Sequence, residues 1–218
     1  MAKKNEIGVI GLGKFGSALA ATLTELGSTV LAVDQDESKI QRAQDFIPQV
    51  YQADATDKKA LEQLGFQHMD HVIVSIGKSM EASILVVLNL QEMGVREIWV
   101  KAASQDHEKV LARLGVKHVV FPEQFVATQI AHRLAVPGVL DYLTLAEGVI
   151  LQECKIDRWA GKSLRQLNLR SNHNVQVVAI RRSGQQQLEF IPDADRPLEK
   201  DDSLVIIGNA RDVRQLKP

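Results

Sequence analysis

The first 135 residues alternate short runs rich in valine and isoleucine with amphipathic segments, and this alternation repeats six times. Such runs favour buried strands, and the segments between them have the apolar spacing of helices that cover a sheet. Regular alternation of this kind predicts a six-stranded, doubly wound parallel sheet with helices on both faces. The predicted strands are Ile7–Ile10, Thr29–Val33, Gln49–Gln52, His71–Ile76, Glu97–Lys101 and His118–Phe121.

The pattern changes after Phe121. A predicted helix, Gln124–Leu134, is followed by Pro137-Gly138, which is typical of a boundary between elements. The residues beyond it predict a small α+β domain in which Ser183-Gly184 forms a tight hairpin turn. We therefore expect a sheet domain over 1–122, a crossover helix and hinge over 123–140, and a second domain over 141–218. The second domain is predicted to contain strands Val149–Ile156, Val175–Arg181, Gln187–Ile191 and Ser203–Gly208, with helices Gly161–Leu169 and Ala210–Leu216.

Charge and composition narrow the function classes. The chain has 26 basic and 27 acidic residues, for a formal charge of −1, whereas nucleic-acid-binding domains usually carry a basic excess. The single cysteine, Cys154, allows no disulfide framework and suits a reducing cytosol. No apolar stretch approaches the ~20 residues that span a bilayer, and the N-terminus lacks the apolar core of a signal peptide. We expect no direct membrane span and no nucleic-acid partner.

The strongest motif is Gly11-Leu12-Gly13-Lys14-Phe15-Gly16, which follows the first predicted strand and opens a helix. In this position glycines permit a tight turn, a close approach of the backbone to phosphate, and packing of the helix on the strand. Asp34 ends the second strand, where an acid accepts hydrogen bonds from a ribose diol. These residues predict a site for an adenine nucleotide with an unmodified 2′-hydroxyl. We expect Asp34 to repel a 2′-phosphate and therefore to disfavour NADP.

Lys14 occupies the first turn of the predicted helix. A cation there opposes the helix dipole by roughly 0.3–1 kcal/mol, a cost that a phosphate above the helix would offset. Backbone amides already suffice for the pyrophosphate of a dinucleotide, so Lys14 favours a nucleoside di- or triphosphate. The alternative is a solvated lysine that turns away from the site.

Further polar residues follow the remaining strands, at the edge of the sheet where ligands bind in folds of this kind. Each of them is a candidate ligand contact by topology, and each is equally compatible with a charge in an ordinary loop. His107, near the start of the following helix, lies within reach of a phosphate or on the helix surface. The strand-end candidates are Asp54-Ala55, Ile76-Gly77-Lys78, Lys101 and Glu123.

Catalytic motifs are missing from the sequence. It contains no G-x-S-x-G, H-E-x-x-H, Walker-type lysine motif or C-x-x-C, and the second domain offers no evident catalytic carboxylates or histidines. Binding is therefore favoured over catalysis.

The order of several short motifs along the whole chain resembles one family. GLGKFG, LAVDQD, ADAT, VIVSIG, IWVKA and an FPE turn, followed by VVAI and DSLVIIG, are similar to the cytosolic RCK (TrkA-N/TrkA-C) regulatory subunits of Ktr-type potassium-uptake systems. The resemblance implies a Rossmann-like RCK N-domain and a smaller RCK C-domain. The chain has one such pair of domains, whereas Trk-type relatives carry two in tandem.

The resemblance implies a regulatory subunit and no enzymatic activity. Members of this family form a homo-octameric ring, built from dimers, on the inner face of the cell membrane. Their partner is an integral-membrane potassium transporter subunit of the KtrB type. ATP and ADP bind the N-domain cleft and favour different shapes of the ring, and ATP activates transport. A cytoplasmic, peripheral location follows for this chain as an expectation.

The resemblance also assigns roles to individual positions. The glycine motif, including Phe15, holds the phosphates, and Lys14 matches a basic residue near the γ-phosphate that is usually arginine. Lysine gives one charge without the planar fork of arginine. Glu123 matches an acid that helps to hold a divalent cation (Mg or Ca) between γ-phosphates. The other implied contacts are Asp34, Gln35 and Asp36 at the ribose, Asp54 and Ala55 at the adenine, and Ile76, Gly77, Lys78, Lys101, Ala102, Ala103 and His107 elsewhere on the nucleotide.

Three alternatives remain open at this level. One is an NAD(H)-binding RCK regulator of a Trk-type transporter, and another is a Rossmann-fold oxidoreductase. The third concerns the C-domain, where some members of the family bind cyclic di-AMP. Residues 167–170 and Asn174 resemble that neighbourhood, although a packing role is the favoured interpretation because not all relatives respond to this ligand.

Overall fold

The computed structural model describes residues 5–135, 139–146 and 148–218. The chain divides into two compact units, Met1–Pro122 and Glu123–Pro218. The predicted hinge residues Pro137-Gly138 lie outside the described residues. None of the helices in the described ranges has the length and apolar character needed to cross a membrane.

The first unit is a six-stranded sheet in which every neighbouring pair is parallel. The strands lie in the order β3-β2-β1-β4-β5-β6, so the direction of winding reverses between β1 and β4. The predicted doubly wound fold is therefore confirmed. The elements are β1 (Glu6–Ile10), α1 (Lys14–Glu25), β2 (Thr29–Asp34), α2 (Glu37–Ala43), β3 (Gln49–Gln52), α3 (Lys58–Gln63), a 3₁₀ turn (Phe66–His68), β4 (His71–Val74), α4 (Met80–Glu92), β5 (Ile98–Lys101), α5 (Gln105–Arg113) and β6 (His118–Val120).

Both faces of this sheet are covered, and strand residues alternate between the two cores as the pleat requires. Val9 and Ala32 join the core formed with α1 and α2, whereas Ile10 and Val33 join the core formed with α3, α4 and α5. Burial on both faces explains why the strands are nearly continuous apolar runs. The helices therefore approach the carboxyl edge of the sheet from both sides.

The second unit begins with a helix, α6, and continues as a five-stranded sheet whose neighbouring strands are antiparallel. The strand order is β10-β9-β11-β8-β7. Its core surrounds Ile156, Ile180 and Ile206. The elements are α6 (Pro122–Ala135), β7 (Val139–Ala146), β8 (Val149–Lys155), α7 (Leu164–Leu167), α8 (Leu169–His173), β9 (Val175–Arg181), β10 (Leu188–Phe190), β11 (Ser203–Asn209) and α9 (Ala210–Val213).

Three details of the second unit differ from the sequence prediction. Strand β7 was not predicted. The single helix predicted over Gly161–Leu169 is two short helices, because Asn168 adopts a left-handed conformation (φ 43°) between them. The predicted tight hairpin is wrong in length: β9 and β10 are antiparallel neighbours, but Arg181 pairs with Leu188, so six residues connect the strands. Gly184, with φ 76°, turns the chain within that loop.

Candidate functional site

The glycine motif forms a turn that packs closely against the end of β4. Gly11 has φ 94°, and a Cβ added there would lie 2.7 Å from the carbonyl oxygen of Ser75. A Cβ on Gly16 would overlap with the carbonyl oxygen of Gly11. Both glycines are therefore required by close backbone packing. They place the start of α1 between β1 and β4, at the point where the direction of winding reverses, which is where ligands bind in this architecture.

Gly13 is different, because a Cβ there would meet no atom of the described chain within 4 Å. It is the N-cap of α1 and has no side chain to accept a hydrogen bond from the amides of the first turn. Lys14 follows it, exposed, and has no ion-pair partner among the described residues. Open backbone amides beside an exposed cation form a suitable surface for phosphate.

Asp34 links the glycine motif to the end of β2. Its Oδ2 accepts a hydrogen bond from the Leu12 amide at 2.7 Å. The same oxygen forms an ion pair with Lys39 Nζ at 2.7 Å. Its Oδ1 accepts from the Asp36 amide at 2.9 Å. Burial is the largest single influence and acts to raise the pKa of Asp34, but the bonds from Lys39, Asp36 and Leu12 together hold it below its ordinary value. The carboxylate is therefore ionised and able to accept from a ribose hydroxyl.

The other two residues predicted at the ribose have separate environments. The Gln35 side chain is exposed, and its carbonyl accepts from Gln52 Nε2 at 3.1 Å. Asp36 is the N-cap of α2, where its Oδ1 accepts from the amide and hydroxyl of Ser38. The Asp36 side chain therefore has a structural partner already.

The segment predicted to contact adenine follows β3. Asp54 is exposed and accepts from both the amide and the hydroxyl of Thr56, and the hydroxyl contact is the main cause that lowers the pKa of Asp54. Ala55 is buried in the core, so only its backbone is placed to meet a ligand. Asn89 of α4 donates a hydrogen bond to the Thr56 carbonyl at 3.0 Å and so attaches this segment to α4. Asn89 was not predicted.

The residues after β4 and β5 reach the same edge of the sheet. Ile76 is half-buried and Gly77 and Lys78 are exposed, immediately before Ser79 caps α4. Lys101 Nζ lies 5.9 Å from the centroid of the Phe15 ring, within cation–π range. This contact brings together two of the predicted site residues, Lys101 of β5 and Phe15 of α1. The Ala102 side chain is fully buried in the core, whereas Ala103 is exposed.

His107 is fully buried near the start of α5. Its Nδ1 accepts from the Ala103 amide at 3.2 Å, so in the neutral ring the proton resides on Nε2. That Nε2 has no partner among the described residues. Desolvation by burial lowers the pKa of His107. The ring holds the segment after β5 in place and does not itself open onto solvent.

The buried imidazole makes a pH dependence expected. Because the folded-state pKa of His107 is lowered below 6.5, the unfolded chain binds a proton that the folded chain does not. The free energy of unfolding should therefore decline as the pH falls below 6.5. His107→Asn keeps an acceptor near the Ala103 amide and removes the titration. Urea unfolding at pH 7.5 and 5.5 should show a smaller pH-dependent loss in the variant; an equal loss would contradict the assignment.

Glu123 stands in the first turn of α6, at the start of the second unit. Within the described ranges no group of three or more His, Cys, Asp or Glu side chains comes together as a metal site. A cation held by Glu123 stays a prediction from the resemblance.

The second unit contains a cavity of about 300 Å³ between α7, α8, β9 and residues 191–194 after β10. Arg165, Asn168 and Arg170 are among its lining residues. The cavity includes part of the region that resembles a cyclic di-AMP site. Asn174, also left-handed (φ 53°), donates to Asp212 at 3.4 Å.

Besides Asn89, two residues of the site were missed from the sequence, Leu12 and Lys39. The Leu12 amide bond to Asp34 is a backbone contact, and side-chain identity gives no indication of it. Lys39 could have been found from the sequence, because it is a cation in the first turn of α2, where it opposes the helix dipole. Lys14 was singled out for the same reason in the first turn of α1.

Family models match both units. The TrkA-N domain matches residues 7–122 and the TrkA-C domain matches residues 156–218. Two relatives from Bacillus subtilis (strain 168) are similar along almost their whole length. Ktr system potassium uptake protein C is 39% identical over 98% of this chain and 96% of its own, and Ktr system potassium uptake protein A is 33% identical over 99% and 96%.

Solved structures agree on the fold. The GsuK RCK domain superposes with a TM-score of 0.66 at 16% identity, covering 97% of this chain and 46% of its own. The GsuK channel bound to NAD superposes with a TM-score of 0.54 at 22% identity, covering 97% and 38%. With matches to both domain models and full-length relatives, the chain belongs to the TrkA-N/TrkA-C (RCK) family and is related to the Ktr system potassium uptake proteins.

Proposed function

We propose that this protein is the cytosolic, nucleotide-sensing regulatory subunit of a Ktr-type potassium-uptake system, activated by ATP and inhibited by ADP. The observation that carries the proposal is the start of α1, where Gly13 leaves the first-turn amides open and Lys14 places an exposed cation without an ion-pair partner in the described chain. The full-length similarity to two Ktr system potassium uptake proteins supports the transport role.

The resemblance to Ktr-type regulatory subunits supports a proposed partner and assembly. The proposed partner is a KtrB-type integral-membrane potassium transporter subunit, and the proposed assembly is a homo-octameric ring of dimers beneath it. Such a subunit is peripheral on the inner face of the membrane and performs no catalysis. A divalent cation at Glu123 belongs to the same proposal.

A modest contact at each site suffices for such regulation. Moving a two-state ring from 1:99 to 99:1 takes about 5.5 kcal/mol of differential binding energy. Shared among eight cooperating sites, this is less than about 1 kcal/mol per site. One charge-assisted contact to a γ-phosphate is of that size. We assign this contact to Lys14.

Replacing Lys14 tests the proposal. In Lys14→Ala the affinity for ATP should fall about fivefold and the affinity for ADP less, since the γ-phosphate loses its cation. Calorimetry with both nucleotides measures the ratio directly. Lys109→Ala on α5 is a matched control, because Lys109 is an exposed lysine far along the chain from the glycine motif. An ATP/ADP ratio unchanged from that of the unmodified protein would remove Lys14 from the mechanism.

The alternative ligand is NAD(H), because Asp34 is suited to the ribose of any adenine nucleotide and the GsuK channel structure contains NAD. A thermal-shift titration with ATP, ADP, NAD⁺ and NADH separates the two. Preferential stabilisation by NADH would replace nucleoside phosphates with dinucleotides in the proposal. A hydride-transfer assay completes the series, since turnover would identify an oxidoreductase instead. Light scattering with and without ATP determines the assembly.

A further inference from the structure

A cleft of about 460 Å³ opens between α1 and α2, beside the glycine motif. Lys14 lines it from α1, and Lys39 and Arg42 line it from α2. Among its described lining residues, none is acidic. The cleft therefore presents three cations without a carboxylate in its wall, which favours an anionic group of more than one charge.

The cations of this α1–α2 cleft retain donors for a ligand. Arg42 uses Nε on the Ser38 carbonyl at 2.9 Å and Nη2 on the Ser38 hydroxyl at 3.2 Å. These bonds hold the guanidinium in place and occupy two of its five N–H donors. Lys14 makes no ion pair within the described chain. Lys39 uses one of three donors on Asp34.

The α1–α2 cleft begins where the predicted ribose site ends, because Lys39 lines the cleft and contacts Asp34. An ionised carboxylate has about four acceptor positions, and three of those on Asp34 are taken by Leu12, Asp36 and Lys39. One position remains for a ribose hydroxyl. While Lys39 stays bound to Asp34, the second hydroxyl of the diol has no acceptor on that carboxylate. The Lys39 ammonium lies beside that carboxylate, 2.7 Å from its Oδ2.

We propose that the α1–α2 cleft is a subsite for a phosphate carried on the 2′- or 3′-hydroxyl of the bound adenine nucleotide. The proposal rests on the nucleotide site proposed above and names a further ligand class for it. It reverses the expectation that Asp34 repels such a phosphate, since Lys39 compensates the charge of Asp34 and two further cations lie in the same cleft.

Three nucleotides with matched 5′-phosphates test the subsite. Calorimetry at constant ionic strength compares AMP with adenosine 2′,5′-bisphosphate and adenosine 3′,5′-bisphosphate. At least one bisphosphate should bind tenfold or more tightly than AMP, and the one that does identifies the hydroxyl concerned. If both bisphosphates bind more weakly than AMP, Asp34 dominates and the proposal is overturned.

Arg42→Ala localises the effect, because the hydrogen bonds of Arg42 within the described chain go to Ser38 and not to Asp34. The gain of the bisphosphate over AMP should drop at least fivefold in this variant, while the affinity for AMP stays the same. Arg113→Ala in the last turn of α5 is the matched control and should leave the gain intact. A gain that survives Arg42→Ala would place the phosphate elsewhere and contradict the proposal.

The same titrations separate this inference from the proposed function. Binding of ATP and AMP without any gain from a ribose phosphate would overturn the subsite alone. Failure of every adenine nucleotide to bind, with circular dichroism showing a folded chain, would overturn the nucleotide site and the subsite together.

Discussion

Gly16→Ala should destabilise the first unit by about 3 kcal/mol, because the new Cβ overlaps with the Gly11 carbonyl, which is backbone and cannot rotate away. The overlap can be removed only if α1 moves away from the end of β1. That movement would disrupt the glycine turn, so we expect nucleotide binding to be lost as well. The chain has two tryptophans, Trp99 in the first unit and Trp159 in the second, so Trp159→Phe leaves Trp99 as the reporter of this unfolding in urea.

Gly13→Ala is the matched control for this variant. Its Cβ meets nothing in the described chain within 4 Å, and its φ of −71° and ψ of −174° are accessible to alanine. Stability should therefore change by less than about 1 kcal/mol. Affinity for ATP should fall at least tenfold, since the methyl group occupies the space where the phosphate approaches the amides. Unchanged affinity in Gly13→Ala would mean that phosphate does not bind at this turn.

Asp202→Ala should destabilise the second unit by about 3–5 kcal/mol. Asp202 is fully buried and accepts from Arg182 Nη1 at 3.0 Å and from the amides of Ser183 and Glu199, each at 2.9 Å. Removing the carboxylate leaves the buried Arg182 guanidinium with a single weak partner among residues 5–135, 139–146 and 148–218, Glu189 at 3.4 Å. It also leaves two amides without acceptors.

Trp159 lies in the core of the second unit and reports this unfolding when Trp99 is replaced by Phe. Asp195→Ala is the matched control, because it removes an exposed partner of Arg165 and should leave the urea midpoint nearly unchanged. If Asp202→Ala and Asp195→Ala shift the midpoint equally, the buried pair does not stabilise this unit.

The sheet of the first unit could be predicted because its signal is local. Each strand is a short β-branched run, and each helix carries its own apolar stripe, so alternation alone determines the parallel arrangement. Strand β7 carries no comparable boundary signal and forms by antiparallel pairing with β8. The helix is interrupted at Asn168 because this residue adopts a left-handed backbone conformation. The apolar spacing of the surrounding residues gives no sign of that conformation. Long-range pairing and single dihedral angles are not visible in periodicity.

The site divides in the same way. Gly11, Gly16 and Asp34 could be identified because their chemistry restricts the residue type at each position. The ion pair of Lys39 with Asp34 is a contact that the acid alone does not indicate. Ala55 and Ala102 are buried in the core, which side-chain type does not reveal. The cation role of Glu123 stays a prediction from the family resemblance, and the hinge at Pro137-Gly138 stays a prediction from the sequence.

Helix α4 connects two ends of the proposed ligand-binding edge. It starts directly after Gly77 and Lys78, and its Asn89 donates to the Thr56 carbonyl beyond β3. Asn89 lies nine residues after Met80, about 14 Å along the axis of α4. One helix therefore holds the loops after β3 and β4 together, and we expect a displacement of either loop to require a movement of α4.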